Sequence, residues 1–474
     1  MKLPLELLLS LSLMLSGGLL AQAPVEKKSP PKPVAKTQAA AIPTLKLEDG
    51  DTFVFLGDSI THQCLYTQYI EDFFYTRYPD RKIHFHNAGV SGDRVTHALA
   101  RFEDDVAAFK PKYVSILLGM NDGEYVDFTQ DIFSVYKKDM LAVLGKVTGL
   151  KAAPMLLSPT MFDHHQLTLR KDDPTFPFGK RGFSQQYNSI MAFYGGWLRE
   201  QATENRYAFA DFWAPLNDLT LLGRRKDVDF TLVSDTIHPD AGGQVVMAYS
   251  FLSQLNPDRR SVSAITLNQQ AGKWKGRGVG GKLEGVQALS EGEGLEFTFK
   301  ARSLPWVLPQ EAFGVEMNKW KTPGPAVGYE MTKAGHRISN ERLKVSGLKP
   351  GRYEVFIDGE SIGKPVSHVQ LAAKIELQAN EKTPQYKQAL QVALLNREKN
   401  DKVIRPLRNL WSRIKGLRNR HADDAAAFQV EYEKLKPRIE EFLKSSLDYE
   451  KRIYELAQPK ARKYVVRRVG KKGK

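Results

Sequence analysis

Between residues 45 and 256 the chain alternates short apolar runs with longer helix-forming stretches, and that alternation limits the folds open to it. The runs Thr52–Gly57, Lys82–His86, Tyr113–Leu118, Pro154–Leu157 and Tyr207–Phe212 read as strands. Helical stretches at Gln63–Tyr78, Arg94–Phe109, Phe128–Val147, Gln185–Thr203 and Pro239–Leu255 separate or follow them. The strands are continuously apolar (Tyr-Val-Ser-Ile-Leu-Leu at 113–118) instead of alternating apolar with polar. A strand of that kind is buried on both faces, so the pattern predicts an α/β domain with a parallel sheet covered by helices on each side.

After residue 256 the pattern changes. Short strand-like runs (Val262–Leu267, Leu295–Phe299, Tyr353–Ile357) lie between Gly and Pro turns and predict a β-rich module over 257–380. Thr383-Pro384 then reads as a helix N-cap followed by proline at the first helical position. A helical extension follows over 381–458, in which Pro406 and Pro437 must end or kink helices. Residues 459–474 read as a disordered basic tail, and Gly276–Leu283 as a flexible glycine-rich loop. The latter lacks the Ser/Thr of a P-loop and its strand-to-helix setting.

At the N-terminus, Lys2 precedes an apolar run through Leu20 and the small-x-small triplet Ala21-Gln22-Ala23. This predicts a signal peptide over 1–23 and export to the periplasm or exterior. Retention as a single membrane anchor is the alternative. Residues 24–44, rich in Pro, Lys and Ala, read as a linker. No later stretch is apolar for 18 residues, so no stable membrane insertion is expected of the mature protein. The one cysteine, Cys64, excludes intramolecular disulfides and cysteine zinc clusters, and its aromatic-rich surroundings predict a buried structural thiol.

Charge is segregated. Of the +15 net charge on 474 residues, +13 falls on residues 381–474, with 25 Lys/Arg against 12 Asp/Glu. A nearly neutral body with a basic arm does not suit nucleic-acid binding. A solvated helical face is the simplest reading of the arm, and docking onto an anionic surface, or self-association, the sharper one.

The chemistry concentrates where strands end. The first strand runs into Gly57-Asp58-Ser59, which alone is better explained by Ser59 capping a helix. Three more segments shift that balance: Asn87–Asp93 after the second strand, Gly119–Asp122 after the third, and Asp235-Thr-Ile-His238-Pro239 before the last helix. A serine nucleophile needs a base, and His238 is suited to that. The histidine needs an orienting carboxylate, and Asp235 lies three residues away. A developing oxyanion needs donors, which the Ser59 and Gly92 N–H groups and the Asn121 amide can provide. Each has a plainer alternative: a turn glycine, a capping Asn, a solvated acid, a structural histidine.

These blocks (GDSIT at 57–61, NAGVSG at 87–92, GMND at 119–122, DTIHP at 235–239) resemble the SGNH hydrolases, the GDSL esterase/lipase superfamily. Ile60 stands where that name has Leu. The resemblance covers roughly 45–256. It implies a flavodoxin-like three-layer α/β/α sandwich and ester hydrolysis through an acyl-enzyme. Ser59, Asp235 and His238 would then be the triad, with Gly92 and Asn121 in the oxyanion hole. No metal or cofactor is implied.

His164-His165 beside Asp163 match no familiar ligand spacing. They fall in a stretch, Ser158–Gly182, that shows no clear element and is expected to lie over the sheet rim, shaping the pocket. The expected substrate is a small acyl ester, acetyl on carbohydrate first. A lysophospholipase or thioesterase acting on longer chains, and a non-catalytic carbohydrate binder, are the alternatives.

Overall fold

The run Thr-Phe-Val-Phe-Leu-Gly forms the first strand, β1 (Thr52–Gly57), and its side chains point alternately into two cores. Phe53 and Phe55 join one apolar cluster, with helices Leu65–Arg77 and Ala241–Leu255. Val54 and Leu56 join the other, with helices Gln130–Gly149 and Tyr187–Asn205. Both faces of β1 are therefore dry, which is why its sequence shows no polar alternation.

The remaining strands of this sheet are β2 (His84–Gly89), β3 (Tyr113–Leu117), β4 (Ala153–Leu157) and β5 (Ala208–Ala210). All pair in parallel in the order β2-β1-β3-β4-β5. This is the flavodoxin-like order, and it makes the carboxyl ends of β2, β1 and β3 neighbours on one rim. The register levels them, with Gly57 opposite Gly89 on one side and Leu117 on the other.

The computed structural model describes residues 44–255, 261–290, 293–310 and 322–470. The expected signal peptide and residues 24–43 of the linker lie outside the described residues. The described residues from 44 onward form one compact unit, so the changes of pattern near 256 and 380 are changes of architecture within that unit.

Beyond the first sheet, β6 (Ser263–Gln270), β7 (Lys273–Val279), β8 (Gly281–Ala288), β9 (Gly294–Ala301), β10 (Glu341–Ser346), β11 (Arg352–Ile357), β12 (Glu360–Ser361), β13 (Val366–Ser367), β14 (Ile375–Glu376) and β15 (Ala461–Arg468) build two more sheets. Their orders are β14-β10-β6-β7 and β12-β11-β15-β9-β8, with β13 also pairing β11.

Two expectations fail here. The glycine-rich run at 276–283 is not a flexible loop: it lies in β7 and β8, which meet at Gly280 (φ +81°). A Cβ at Gly280 would stand 2.2 Å from the Val262 carbonyl oxygen, so glycine there serves close strand packing. Nor is the tail from Pro459 disordered over its described part. β15 lies between β11 and β9, burying Tyr464 and Val466. Two of its cations are paired, Arg462 with Asp358 at 2.8 Å and Lys463 with Glu296 at 2.9 Å. A strand whose facing partners lie over a hundred residues earlier leaves no local signature.

The helical arm begins where its cap indicated, with the Thr383 side chain accepting from the Tyr386 N–H. Helix Pro384–Lys399 passes through a π-turn at Asn400–Ile404 into helix Arg405–Arg420, and Pro406 sits in that helix's first turn. Helix Lys436–Leu456 then covers the free edge of β2: Glu450 accepts from the Phe85 N–H and from His84, and the Tyr454 hydroxyl accepts from the Ile83 N–H. An exposed strand edge is a template for unwanted pairing, and the arm removes it.

Much of the arm's charge is spent inside the molecule. Arg408 is fully buried and grips Asp105 with two nitrogens at 2.7–3.0 Å. Lys399, equally buried, bonds Glu71 and the Tyr75 hydroxyl, both at 2.9 Å. Among the described residues no helix is long and apolar enough to cross a membrane.

Candidate active site

At the end of β1 the chain turns into the four-residue helix Ser59–His62. Asp58, not Ser59, caps it: the Asp58 carboxylate accepts from the Ile60 N–H at 3.0 Å. That leaves the Ser59 hydroxyl available, and it lies 2.9 Å from His238 Nε2. His238 Nδ1 lies 2.7 Å from Asp235, whose carboxylate also accepts from the Ile237 and His238 N–H groups at 2.9 and 2.6 Å. The three residues form one continuous hydrogen-bonded run across 179 positions of sequence.

The turn that aligns Asp235 with His238 is strained. Thr236 adopts φ +83°, a conformation a β-branched residue avoids. It is held from both sides, its N–H donating to the Val233 carbonyl and its own carbonyl accepting from the Asp163 N–H at 2.9 Å. Asp163 is further committed to Arg224 and Thr231, at 2.6 and 2.5 Å. It therefore braces this turn and is not free to join His164 and His165 around a metal. Those histidines open a helix, His164–Arg170, in the stretch that showed no clear element in sequence. Among the described residues no group of three or more His, Cys, Asp or Glu side chains is placed to hold a metal ion.

The two other rim segments close on Ser59. A Cβ at Gly89 would stand 2.4 Å from the His62 nitrogen, so the second block packs backbone to backbone against the first. Gly92 has φ +69°, which turns the Ser91–Asp93 loop from exposed Ser91 and Gly92 to buried Asp93. Asn121 donates to the Asp93 carbonyl at 3.0 Å and accepts from the Tyr125 hydroxyl at 2.9 Å. Its amide carries two donors, and the second reaches Asp58 only at 3.5 Å, a long bond that a ligand oxygen can replace. Asp122 accepts from the Val95 N–H at 2.9 Å, tying the third block to the helix that follows the second.

Electrostatics divides the carboxylates near the site. Burial works to raise the Asp235 carboxyl, but the facing imidazole and the three N–H donors outweigh it and hold it below the ordinary value. Burial likewise works against a charged His238, and the Asp235 carboxylate overcomes it, leaving His238 above its usual value. Asp58, Asp122 and Asp240 are buried with fewer compensating partners, and burial pushes each up to about 7. The ionised carboxylate thus stands at the imidazole, as acyl transfer requires. Cys64 is buried in an apolar cluster with Val90 and Trp411, and burial pushes its thiol up to about 12, the behaviour of a structural thiol.

Sequence reasoning missed Asp58 and Tyr125. Asp58 lies inside the GDS triplet and Tyr125 four residues past Asn121, so both were within reach. Phe178, from the 158–182 stretch, lies with its ring centroid 6.4 Å from that of His238, and the Arg181 guanidinium sits over it. This part of the stretch does lie beside the site.

Residues 55–246 match the GDSL-like Lipase/Acylhydrolase family. The chain carries an SGNH hydrolase domain. A curated relative, the acetylxylan esterase of Geobacillus stearothermophilus, is 26% identical over 230 residues, covering 44% of this chain and 96% of that protein. A solved structure, that of a gut microbial diltiazem-metabolizing enzyme, superposes with a TM-score of 0.75 at 25% identity. It covers 90% of this chain and all of that one, so the likeness extends beyond the SGNH domain. The protein is a carboxylic ester hydrolase of the SGNH type.

Proposed function

We propose that this hydrolase is an exported serine esterase that removes small acyl groups, acetyl first, from carbohydrate. The hydrogen-bonded run Asp235–His238–Ser59 carries the reading. Ser59 Oγ attacks the ester carbonyl while His238 Nε2 takes its proton. Asp235 orients the imidazole and stabilises its charge. The Ser59 and Gly92 N–H groups and the Asn121 amide N–H that makes the long bond to Asp58 stabilise the oxyanion. The tetrahedral adduct collapses to an acyl-Ser59, and the sugar alcohol leaves with the proton from His238. Water, deprotonated by His238, then releases the acid and restores Ser59.

The acetylxylan esterase relative supports the acetyl and carbohydrate parts of the reading. So does the half-buried Phe178 ring beside His238, a flat face against which a sugar ring can pack. Export rests on the N-terminal sequence, and N-terminal sequencing of the protein from cell fractions tests it. An intracellular protein still beginning at Met1 sinks that part.

The chemical test is hydrolysis of nitrophenyl acetate, longer nitrophenyl esters and an acetylated polysaccharide, beside Ser59→Ala. Ser59→Ala is expected to lower kcat by about 10⁴-fold or more with the fold intact, because triad members act as a unit. Near-wild-type turnover would refute Ser59 as nucleophile, and a rate maximum on octanoyl or longer esters would refute the acetyl preference.

A further inference from the structure

We propose that the C-terminal helical arm completes the oxyanion site, with Lys415 and Asn409 acting as positioning residues for the Ser91–Asp93 loop. This rests on the serine esterase reading above, and adds that residues about 350 positions beyond the triad serine set the geometry of one of its donors.

The loop is exposed at Ser91 and Gly92, and glycine gives it no side chain with which to anchor itself. Asp93 is the exception: it is buried and held from the SGNH side by Arg101 at 2.9 Å and by the Asn121 amide on its carbonyl. The arm adds contacts of its own. Lys415 Nζ reaches the Ser91 carbonyl at 2.5 Å and Asp93 Oδ1 at 3.0 Å. The same ammonium would lie 3.6 Å from a Cβ on Gly92, so it bridges the residues on either side of the donor glycine.

On the opposite side, His62 Nδ1 faces the Ser91 N–H at 3.2 Å. A backbone N–H can only donate, so Nδ1 accepts and the ring proton sits on Nε2. Nε2 donates to Asn409 Oδ1 at 3.0 Å, so Asn409 selects the tautomer that holds Ser91. Burial keeps this ring neutral, its value lowered to about 4.

Two consequences follow for catalysis. The Gly92 N–H must point at a charge that exists only in the transition state, and a loop free to rotate loses that alignment. The Asp93 carboxylate also sits one residue from the donor, where it opposes a developing oxyanion. Arg101 and Lys415 together offset it, and without Lys415 only Arg101, which is shared with Asp105, remains to do so. The arm is thus part of the catalytic geometry, and the buried Arg408–Asp105 pair fixes its helix to the SGNH domain.

The test uses the full chain with Lys415→Gln, Lys415→Arg and Asn409→Leu, assayed on nitrophenyl acetate and for inhibition by phenylboronic acid. The boronate forms a tetrahedral adduct with the serine and engages the same donors. Removal of a whole oxyanion donor costs about 10²–10³ in kcat, so misplacing one is expected to cost about tenfold in Lys415→Gln. KM should stay within about twofold, and the boronate Ki should rise with the fall in kcat/KM. Lys415→Arg should recover most of the rate. Asn409 is exposed, so Asn409→Leu keeps the fold, and it should show a smaller fall of the same kind. If Lys415→Gln does not fold, Asn409→Leu decides alone. A kcat within twofold of wild type, or a fall in kcat with an unchanged boronate Ki, overturns the proposal. Ser59→Ala separates the two levels: its retained activity would defeat the serine esterase reading, whereas an inactive Ser59→Ala beside a fully active Lys415→Gln would defeat only this inference.

Discussion

Replacing Asp105 with asparagine should destabilise the whole body, because of what it leaves behind. Asp105 is fully buried and takes bonds from Arg408 at 2.7–3.0 Å, from Arg101 at 2.6 Å and from His86 at 3.0 Å. The Arg408 charge, the His86 hydrogen bond and the Arg101 charge overcome the burial that would otherwise raise its carboxyl and hold it well below the carboxylate range. In Asp105→Asn, Arg101 keeps Asp93. Arg408, with no exposed surface, loses its carboxylate and keeps a neutral amide oxygen and the Trp411 ring, 5.8 Å away. Removing one partner of a buried pair costs about 3–5 kcal/mol, because the other charge stays desolvated. Against a total stability of about 5–15 kcal/mol, that is a large fraction.

Guanidinium unfolding followed by fluorescence and by far-ultraviolet circular dichroism measures the loss. Both probes should give one coincident transition, shifted to lower denaturant with its slope unchanged. The added substitution Arg408→Leu removes the orphaned charge and should recover much of the loss, since a buried pair exchanged for apolar side chains is often neutral. Molar salt should change little, because the pair is shielded from solvent. A cost below about 1 kcal/mol, a double variant no better than the single, or an arm that melts separately would refute the argument.

Acid should inactivate the enzyme at a higher pH than an ordinary histidine would dictate. The Asp235 carboxylate raises His238, so the base form is lost as pH falls through a value above the usual 6.5. Asp235→Asn should move this acid limb of kcat/KM downward and lower kcat by about 10⁴-fold, and a wild-type limb centred at or below 6.5 would count against the assignment. Ending the chain at residue 458 deletes β15 from the interior of its sheet and leaves one edge each of β9 and β11 open. That protein should aggregate; recovery of a soluble enzyme with wild-type thermal stability would show that the strand is dispensable.

The sequence by itself determined the parallel sheet, because continuous apolar runs such as Tyr113–Leu118 are a local property that only two covered faces explain. It also singled out Ser59, Gly92, Asn121, Asp235 and His238, since each lies in a short block at a strand end or before the last helix, with chemistry that makes sense only in the others' company. Their approach, Ser59 to His238 at 2.9 Å, depends on the level register of β2, β1 and β3 and on the Thr236 turn. Tertiary structure alone decided the rest. A basic arm reads as a docking surface when Arg408, Lys399 and Lys415 are counted as free charges. The partners that absorb them, Asp105, Glu71 and Asp93, lie more than 300 residues earlier. The strand at 461–468 escapes the sequence for the same reason: its partners β9 and β11 lie more than a hundred residues earlier, and hydrogen bonds between strands leave no mark on the spacing of residues along either one. The run at 273–288 has near partners, β7 on β6 and β8 on β9, and there the glycines mask the strand pattern.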